Sequence, residues 1–415
     1  MKRTGCLTYI LIIIISSIAA LMLAGIIDNQ ALPILDGNNS FHEHDGNATE
    51  REDSGIDDDL TETDKFSNND AESVYYAYYN QLNTEEKNIY DVILDGVSDG
   101  KETFKFENVN HNDYSIYCDR AVYALTYDHP ELFWLQCGYS ITKWHALFEE
   151  YGDIELDLEY YSYWEYSLEK NKKIEELENA VEKVVTQALK QETDYERIQY
   201  VHDYLVENAI YDYDSLNEYY KTFHDASCEY IFTAYGCLVN GKTVCSGYAK
   251  AFQLIMQKLG YDCMYIVGEA GESHAWNCIY IENEGYYVDV TWDDPDYMYD
   301  EPKYEYFCIT SESLARTHEL DKTFDVPDCD AKKFNYFEYY GFRLDTYDFS
   351  DLCDVIEAQK EQHIINVQFG SMKELTKAYE DLFSNGNIYK IPVLSNTHEI
   401  SYSINEDHYT LTIYK

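Results

Sequence analysis

Basic side chains are scarce in this chain. It has 30 Lys and Arg against 78 Asp and Glu in 415 residues, so its formal net charge is -48. Such a charge repels nucleic acid phosphates and anionic lipid headgroups, and no basic stripe offsets it. Nucleic acid is therefore excluded as an expected partner. Cationic partners remain open, beside the simpler interpretation that the charge keeps the protein soluble in a salty exterior.

Closely spaced cysteine pairs are also missing. The chain has 11 cysteines, but no two form a C-x-x-C motif, which argues against a zinc ribbon or a thioredoxin-like redox site. A chain of this length does not depend on a disulfide framework. We expect most of the cysteines to be buried as small apolar side chains, and the pairing of any that meet outside the cell stays open.

Aromatic side chains, by contrast, are abundant. The chain has 44 Tyr, 17 Phe and 5 Trp, and 45% of its residues are hydrophobic, far more than a disordered protein contains. A single core usually stops growing before this length is reached, so two or three folded units are expected.

Charge is absent from a long apolar run, Gly5–Ile27, which follows Lys2 and Arg3. A helix rises about 1.5 Å per residue, so the run is long enough to cross the ~30 Å hydrocarbon layer. It predicts a transmembrane anchor over residues 1–27. Because the basic residues precede it, the protein is expected to be a single-pass protein of the cell membrane with most of its chain outside the cytoplasm. A cleaved signal peptide is the alternative, although its apolar region is usually only about 7 to 15 residues long.

Two regions of different character follow the apolar run. Residues 28–72 are rich in acidic and small polar residues, which predicts a disordered, self-repelling linker. Residues 73–195 show helical periodicity and predict a mainly helical region. The clearest helix has an apolar stripe formed by Ile174, Leu177, Val181, Val184 and Ala188. Thr193 and Glu196 then form a capping box that opens another helix.

The second half of the chain contains the chemistry and a separate module. We expect a catalytic domain over residues 196–327, on the motifs described below. Residues 328–415 combine an apolar strand at 364–369, a helix and a final hairpin, which predicts a small α/β module. No catalytic constellation occurs there, so a structural or binding role is expected.

Cys245 lies where a glycine-containing loop runs into a helix. The helix is indicated by an apolar stripe and a terminal glycine: Tyr248, Phe252, Ile255, Leu259 and Gly260. In the first turn of a helix, free N–H groups and the helix dipole stabilise a thiolate and can hold an oxyanion. Taken alone, a cysteine at a helix start is more often simply buried.

His274 and Asp289 are predicted to lie on neighbouring antiparallel strands. Histidine supplies a base that titrates near neutral pH, and a carboxylate can fix its tautomer. The parity of the spacing puts both side chains on one face of an ideal hairpin. A two-residue turn at Asn283-Glu284 would, however, place Asp289 opposite Cys278, roughly 13 Å from alignment with His274. A bulge, a wider turn or strong twist would have to close that offset.

Three segments resemble the signature blocks of transglutaminase-like domains, in the same order: Val244–Ala249, His274–Asn277 and Tyr287–Asp293. The resemblance covers about residues 196 to 310 and is closer to bacterial secreted members than to animal enzymes. It implies that Cys245 is the nucleophile, His274 the general base and acid, and Asp289 the orienting carboxylate. It also implies an α+β fold with a papain-like core, in which the cysteine-bearing helix packs on a small antiparallel sheet. Trp276 and Trp292 are expected to pack in the core rather than wall the cleft.

The expected function is that of an extracytoplasmic thiol enzyme that cleaves or transfers amide bonds through a thioester acyl-enzyme. Its substrate would be a peptide or protein, with a cell-wall peptide as one candidate. Water as acceptor would make it a peptidase, and a lysine amine would make it a crosslinking transferase. The alternative is a non-catalytic module on the same scaffold that binds the cell surface or cell wall.

No cofactor or metal is expected. Cys245, His274 and Cys278 are possible zinc ligands, but their spacing matches no common zinc motif. A second cluster of acidic residues, Asp293, Asp294, Asp296 and Asp300, lacks the order of a known calcium loop. We expect that cluster to be a solvated loop.

Overall fold

The computed structural model describes residues 41–43, 76–98, 100–144, 151–161, 168–221, 228–295, 301–395, 397 and 400–415. Residues 39–415 form one compact unit. The predicted membrane anchor lies outside the described residues, as does the predicted linker apart from Phe41–Glu43. Among the residues described, no helix is both long enough and apolar enough to span a bilayer.

The helices are named here in chain order. They are α1 (Thr84–Ser98), α2 (His111–Asp128), α3 (Lys170–Ala188), α4 (Asp194–Asn208), α5 (Tyr213–Lys221), α6 (Cys245–Lys258), α7 (Val290–Asp293), α8 (Ser311–Leu314), α9 (Tyr336–Tyr340), α10 (Phe349–Ala358) and α11 (Met372–Tyr379).

The strands are numbered in the same way. They are β1 (Phe41–Glu43), β2 (Thr103–Asn110), β3 (Leu135–Trp144), β4 (Tyr151–Tyr160), β5 (Ile210–Tyr211), β6 (Lys242–Thr243), β7 (Cys263–Glu269), β8 (Ser273–Ile281), β9 (Glu284–Val288), β10 (Glu319–Leu320), β11 (Arg343–Leu344), β12 (Ile364–Phe369), β13 (Ser401–Asn405) and β14 (Thr410–Tyr414).

The N-terminal region contains a sheet as well as helices. Its strands lie in the order β1-β3-β4-β2, with β4 antiparallel to both β2 and β3. On β2 and β4, one face is buried at alternate residues, because successive side chains of a strand point to opposite faces. Helical periodicity predicted α1 and α2 but gave no sign of these strands.

Helices α3 and α4 follow the sequence pattern closely. Of the predicted α3 stripe, Leu177, Val181, Val184 and Ala188 are buried, and Ile174 is partly buried against the core. The predicted capping box is also present. The Thr193 side chain accepts a hydrogen bond from the Glu196 backbone N–H, and the Glu196 carboxylate accepts one from the backbone N–H of Thr193.

The central part of the chain packs α6 against an antiparallel sheet of order β10-β7-β8-β9. The residues of α6 from Cys245 to Met256 are all buried, and Ala249 packs against Tyr265 of β7 and Ala275 of β8. This arrangement confirms the predicted α+β class and the packing of the Cys245 helix on a small antiparallel sheet.

The C-terminal region has a sheet of its own, in the order β11-β12-β14-β13. The predicted apolar strand is β12, whose six residues are all buried, and the predicted hairpin is β13–β14. Helix α10 was not predicted. One continuous hydrophobic core extends from the N-terminal helices to β14, and the domain boundaries at residues 195 and 327 stay predictions.

Candidate active site

Cys245 occupies the first position of α6, and Val244 alone separates it from strand β6. Its side chain is largely buried, with 8% of the residue exposed. Gly247, two residues later, lets this helix start lie close to the preceding chain. A Cβ atom at Gly247 would collide with the Thr243 hydroxyl and lie 2.7 Å from the Ile231 carbonyl oxygen. The glycine of the motif is therefore a packing requirement of the cysteine turn.

The β8–β9 hairpin brings Asp289 toward His274 through a turn whose position differs from the one considered in the sequence. Ile281 pairs with Glu284, so the turn residues are Glu282 and Asn283, both with positive φ, 54° and 67°. This turn lies one residue earlier than the Asn283-Glu284 turn considered above. The register, in which Asn277 pairs with Val288, brings Asp289 two residues closer to His274. No bulge is needed.

Asp289 then leaves the strand and caps helix α7. Its Oδ1 accepts hydrogen bonds from the backbone N–H groups of Thr291 and Trp292, at 3.0 and 3.2 Å. Its Oδ2 lies 2.7 Å from Nε2 of His274. Burial opposes ionisation of this carboxyl, but the charge and hydrogen bond of His274, with help from His318, hold its pKa well below the usual range. Asp289 is therefore a fixed anion.

His274 lies between this carboxylate and Cys245. Burial disfavours the imidazolium, but Asp289 and Cys245 outweigh it through their charges and hydrogen bonds and raise the pKa of His274 well above its usual value. Because Asp289 engages Nε2, the nitrogen available to the Cys245 thiol is Nδ1. The structure thus brings together the three residues singled out in the sequence.

A second histidine, His318, contacts the same carboxylate and was missed by the sequence analysis. Its Nε2 lies 3.2 Å from Asp289 Oδ2, and its side chain is fully buried. His318 follows α8 and lies well beyond the third motif block. No local pattern marks it, since it bonds Asp289 across 29 positions of the chain.

Tyrosines line the neighbourhood of the thiol. Burial, followed by the charges of Cys245 and Glu272, raises the pKa values of both Tyr211 and Tyr220. Tyr220 is 57% exposed, while Tyr211 is half-buried and lies on β5, where it pairs with Thr243 two residues before the cysteine. These two phenols and the Glu272 carboxylate are therefore near Cys245.

Two carboxylates at the end of helix α7 connect it to helices α4 and α6. Asp293 accepts a hydrogen bond from His202 of α4, with 3.1 Å between Oδ2 and Nε2. Asp294 accepts one from the Tyr248 hydroxyl of α6, at 2.7 Å. The prediction of a solvated acidic loop is wrong for Asp293, because this carboxylate is completely buried in a pair with an imidazole. Asp296 and Asp300 lie outside the described residues.

The two tryptophans of the motif blocks differ in burial. Trp276 is fully buried, as expected for a core residue, and its ring lies 4.8 Å from that of His318. Trp292 is only partly buried, and its ring centroid lies 5.8 Å from that of His274. The two indoles therefore flank the imidazoles of the site on its apolar side.

Metal-ligand atoms are also present within the described residues. One ligand atom from each of His274, Asp289 and His318 lies within 4.8 Å of the other two, and this closeness follows from the hydrogen bonds of both imidazoles to Oδ2 of Asp289. Cys278, considered above as a zinc ligand, has its Sγ 3.6 Å from Sγ of Cys329, and both thiols are buried. That contact takes Cys278 out of the set with Cys245 and His274.

A family model described as the transglutaminase-like superfamily matches residues 182–290, which confirms the resemblance seen in the three blocks. Among solved structures, the chain is similar to a TGase, with 13% identity and a TM-score of 0.26 over 37% of this chain and 50% of that one. It is also similar to a candidate cysteine protease of Cytophaga hutchinsonii, with 15% identity and a TM-score of 0.23 over 34% and 54%. The chain spans about half the length of each structure. No curated protein matches it.

Proposed function

We propose that this chain, whose residues 182–290 form a transglutaminase-like domain, is a thiol enzyme that attacks amide carbonyls of peptides or proteins. Members of this superfamily are commonly cysteine peptidases or acyltransferases. The observation that supports the proposal best is the His274 imidazole, which bonds a buried carboxylate on one nitrogen and the Cys245 thiol on the other.

The first half of the proposed reaction forms an acyl-enzyme. The Cys245 thiol gives its proton to Nδ1 of His274, and the resulting thiolate attacks the amide carbonyl carbon. The oxyanion that forms is held by free N–H groups in the first turn of α6. The Tyr211 hydroxyl, which the charge of Cys245 already influences, is the proposed side-chain donor. His274 then protonates the leaving amine, the C–N bond breaks, and a thioester remains on Cys245.

The second half of the reaction releases the acyl group. Water or a primary amine gives a proton to His274 and attacks the thioester carbonyl, and the thiolate leaves. A carboxylic acid is the product with water, and a new amide is the product with an amine. Asp289 keeps its negative charge throughout and stabilises the imidazolium in each half.

The location proposed for this reaction is outside the cytoplasm. It rests on the uncharged apolar run at residues 5–27, which follows two basic residues. Treatment of intact cells with a membrane-impermeant maleimide, followed by peptide mapping, would test it. Labelling of Cys353, which is only partly buried, supports an exterior location, whereas labelling only after lysis contradicts it.

The enzyme proposal is tested by chemical labelling that needs no knowledge of the substrate. Full-length protein is treated with iodoacetamide at pH 6, and the label on each cysteine is quantified by mass spectrometry. We expect Cys245 to react much faster than the similarly buried Cys237, and His274→Ala to remove that difference. Equal labelling rates in the wild type and in His274→Ala would contradict an activated thiol and favour a non-catalytic binding module.

The acceptor is tested separately. Wild-type protein and Cys245→Ala are incubated with cell-wall peptides and with a biotinylated primary amine. Cleavage products that depend on Cys245 indicate hydrolysis, and biotinylated products that depend on it indicate transfer. Products that form equally with Cys245→Ala would contradict the proposed nucleophile.

A further inference from the structure

The hydrogen bonds of Asp289 are shared unequally between two imidazoles. Oδ1 is occupied by two backbone N–H groups, so only Oδ2 is left for the histidines. His274 lies 2.7 Å from Oδ2 and His318 lies 3.2 Å from the same oxygen. Only one of these two rings contacts the thiol.

The surroundings of His318 leave its imidazole one orientation. Nδ1 lies 2.8 Å from the Thr317 hydroxyl, and Nε2 faces Asp289. The ring is enclosed by aromatic neighbours, with centroids of Trp276, Trp292 and Tyr306 at 4.8, 4.6 and 5.5 Å. The chain on its other side is fixed as well, because His318 donates its backbone N–H to Leu314 of α8 and precedes β10. The His318 imidazole is therefore held in a fixed position although it does not contact the Cys245 thiol.

Hydrogen bonds to one acceptor compete. A donor on Asp289 Oδ2 withdraws electron density from the oxygen that holds His274, and so weakens the hold of the carboxylate on the imidazolium. Without the second donor, the buried carboxylate would stabilise the His274 cation more strongly. A general acid that is held too firmly in its protonated form transfers its proton poorly to a leaving amine.

We infer that His318 is a positioning residue of the site, which shares Asp289 with His274 and thereby limits how firmly the carboxylate holds the imidazolium. This inference rests on the proposed function of His274 as acid and base. It assigns to His318 a role in tuning proton transfer, without contact with the substrate.

The other titratable groups near the two rings are few. His274 faces Cys245 from α6, Asp289 from the start of α7 and His318 from the segment before β10. Behind His318 lie Tyr306 and His408, whose rings are 4.5 Å apart. Burial, with the charges of Arg316 and His318, lowers the pKa of His408 to about 4, so this ring is uncharged near neutral pH. Beyond Cys245 lie Tyr211, Tyr220 and Glu272.

The experiment measures the pKa of His274 directly by NMR in full-length protein labelled with 15N-histidine. The His274 resonances are assigned by their loss in His274→Gln. In His318→Phe, which keeps an aromatic ring but has no donor, we expect the pKa of His274 to rise by roughly half to one pH unit. His318→Gln keeps an N–H donor that can reach Asp289, and should stay close to the wild-type value.

His408→Phe is the matched control. It makes the same exchange of rings in the same buried aromatic neighbourhood, but His408 makes no hydrogen bond to Asp289. We expect it to leave the pKa of His274 unchanged. A rise in His408→Phe equal to that in His318→Phe would overturn the inference, because the rise would then not depend on a hydrogen bond to Asp289.

A purely structural role for His318 predicts the opposite sign. If the variants only loosen the site, the pKa of His274 falls toward that of an ordinary imidazole in both His318→Phe and His318→Gln. Either that fall, or no change in His318→Phe, overturns the inference. Should His318→Phe fail to fold, Thr317→Val takes its place. This variant removes the hydroxyl next to Nδ1 of His318 and so weakens the hydrogen bond from Nε2 to Asp289. A smaller rise in the pKa of His274 is then expected, and no rise overturns the inference.

The same samples separate this inference from the proposed function. If wild-type Cys245 is alkylated no faster than Cys237, the proposed function fails, whatever the His318 variants do. If wild-type Cys245 reacts fast and the His318 variants leave the pKa of His274 unchanged, the proposed thiol enzyme is supported and only the inference about His318 fails.

Discussion

The imidazole of His202 and the carboxylate of Asp293 form an ion pair that is completely sealed from solvent, with 3.1 Å between Nε2 and Oδ2. Asp293 is the last residue of α7, and Asp289 caps the start of the same helix. The pair therefore ties the carboxylate of the candidate site to α4, although neither His202 nor Asp293 contacts the thiol.

This pair predicts a stability that depends on pH. Burial alone would lower the pKa of His202, but hydrogen bonds and charges from Asp203 and Asp293 raise it to about 9. Because the folded protein holds this proton more tightly than the unfolded chain, the stabilisation is complete below about pH 6.5 and is lost as the pH rises through about 9. We expect a loss of about 3 kcal/mol over this window, measured by urea denaturation.

The matched comparison is His202→Gln, which cannot be charged. It should be less stable than the wild type at pH 7, and the difference between the two should shrink toward pH 9.5. Buried thiols such as Cys263 and Cys308 titrate alike in both proteins and cancel in the difference. A difference that stays constant from pH 6 to 9.5 would contradict a charged His202.

Replacing Asp289 by Asn should disable His274 through its tautomer. The two backbone N–H groups at Oδ1 require an oxygen there, so the amide NH₂ of the variant would face His274. Nε2 must then accept and Nδ1 must carry the proton, which leaves no base for the Cys245 thiol. We expect iodoacetamide labelling of Cys245 at pH 6 to slow on the order of tenfold or more.

Asp294→Asn is the control for this change, because Asp294 bonds Tyr248 and not His274. Its labelling rate should match the wild type. Fast labelling in Asp289→Asn would show that the carboxylate charge is dispensable for activating the thiol.

Gly247→Ala should damage the start of α6. The added methyl group would meet the Thr243 hydroxyl and the carbonyl oxygens of Ile231 and Thr233, which are fixed by local hydrogen bonds. We expect a loss of about 1 to 3 kcal/mol of stability and slower labelling of Cys245. Thermal denaturation and labelling check the two effects, and an unchanged melting temperature would contradict the close approach.

Tyr211→Phe should separate acylation from thiol activation. The variant keeps the ring and loses only the hydroxyl proposed to hold the oxyanion, so acylation by p-nitrophenyl acetate should slow on the order of a hundredfold. Iodoacetamide labelling, which forms no oxyanion, should be unaffected. Tyr213→Phe removes the neighbouring phenol, whose ring lies 4.5 Å from that of Tyr211, and should change neither rate. Equal acylation rates in the Tyr211 and Tyr213 variants would remove Tyr211 from the mechanism.

The sequence predicted those parts of the molecule that depend on neighbours in the chain. The helix start at Cys245, the capping box at Thr193 and the buried strand β12 all follow from short patterns, and the structure contains each of them. The α+β class followed from the same local signals. These features are determined by hydrogen bonding and burial within a few residues.

The features that the sequence analysis missed depend on distant contacts. His318 and His202 act through partners 29 and 91 positions away, and no periodicity links such residues. The hairpin turn lies one residue before the Asn283-Glu284 position, because Glu282 and Asn283 adopt left-handed conformations. Strand β4 was missed although Ile154, Leu156 and Leu158 alternate with acidic residues and are buried, because the helical periodicity on either side of it led to a mainly helical prediction for the whole region.

The position of Asp289 as the cap of α7 has one more consequence. The carboxylate that orients the base is also the group that begins a one-turn helix, so opening of that turn releases the carboxylate at the same moment. On gentle heating, the Cys245 thiol should therefore lose its reactivity before the whole fold unfolds, since local opening of the four residues of α7 is enough to release Asp289 from His274.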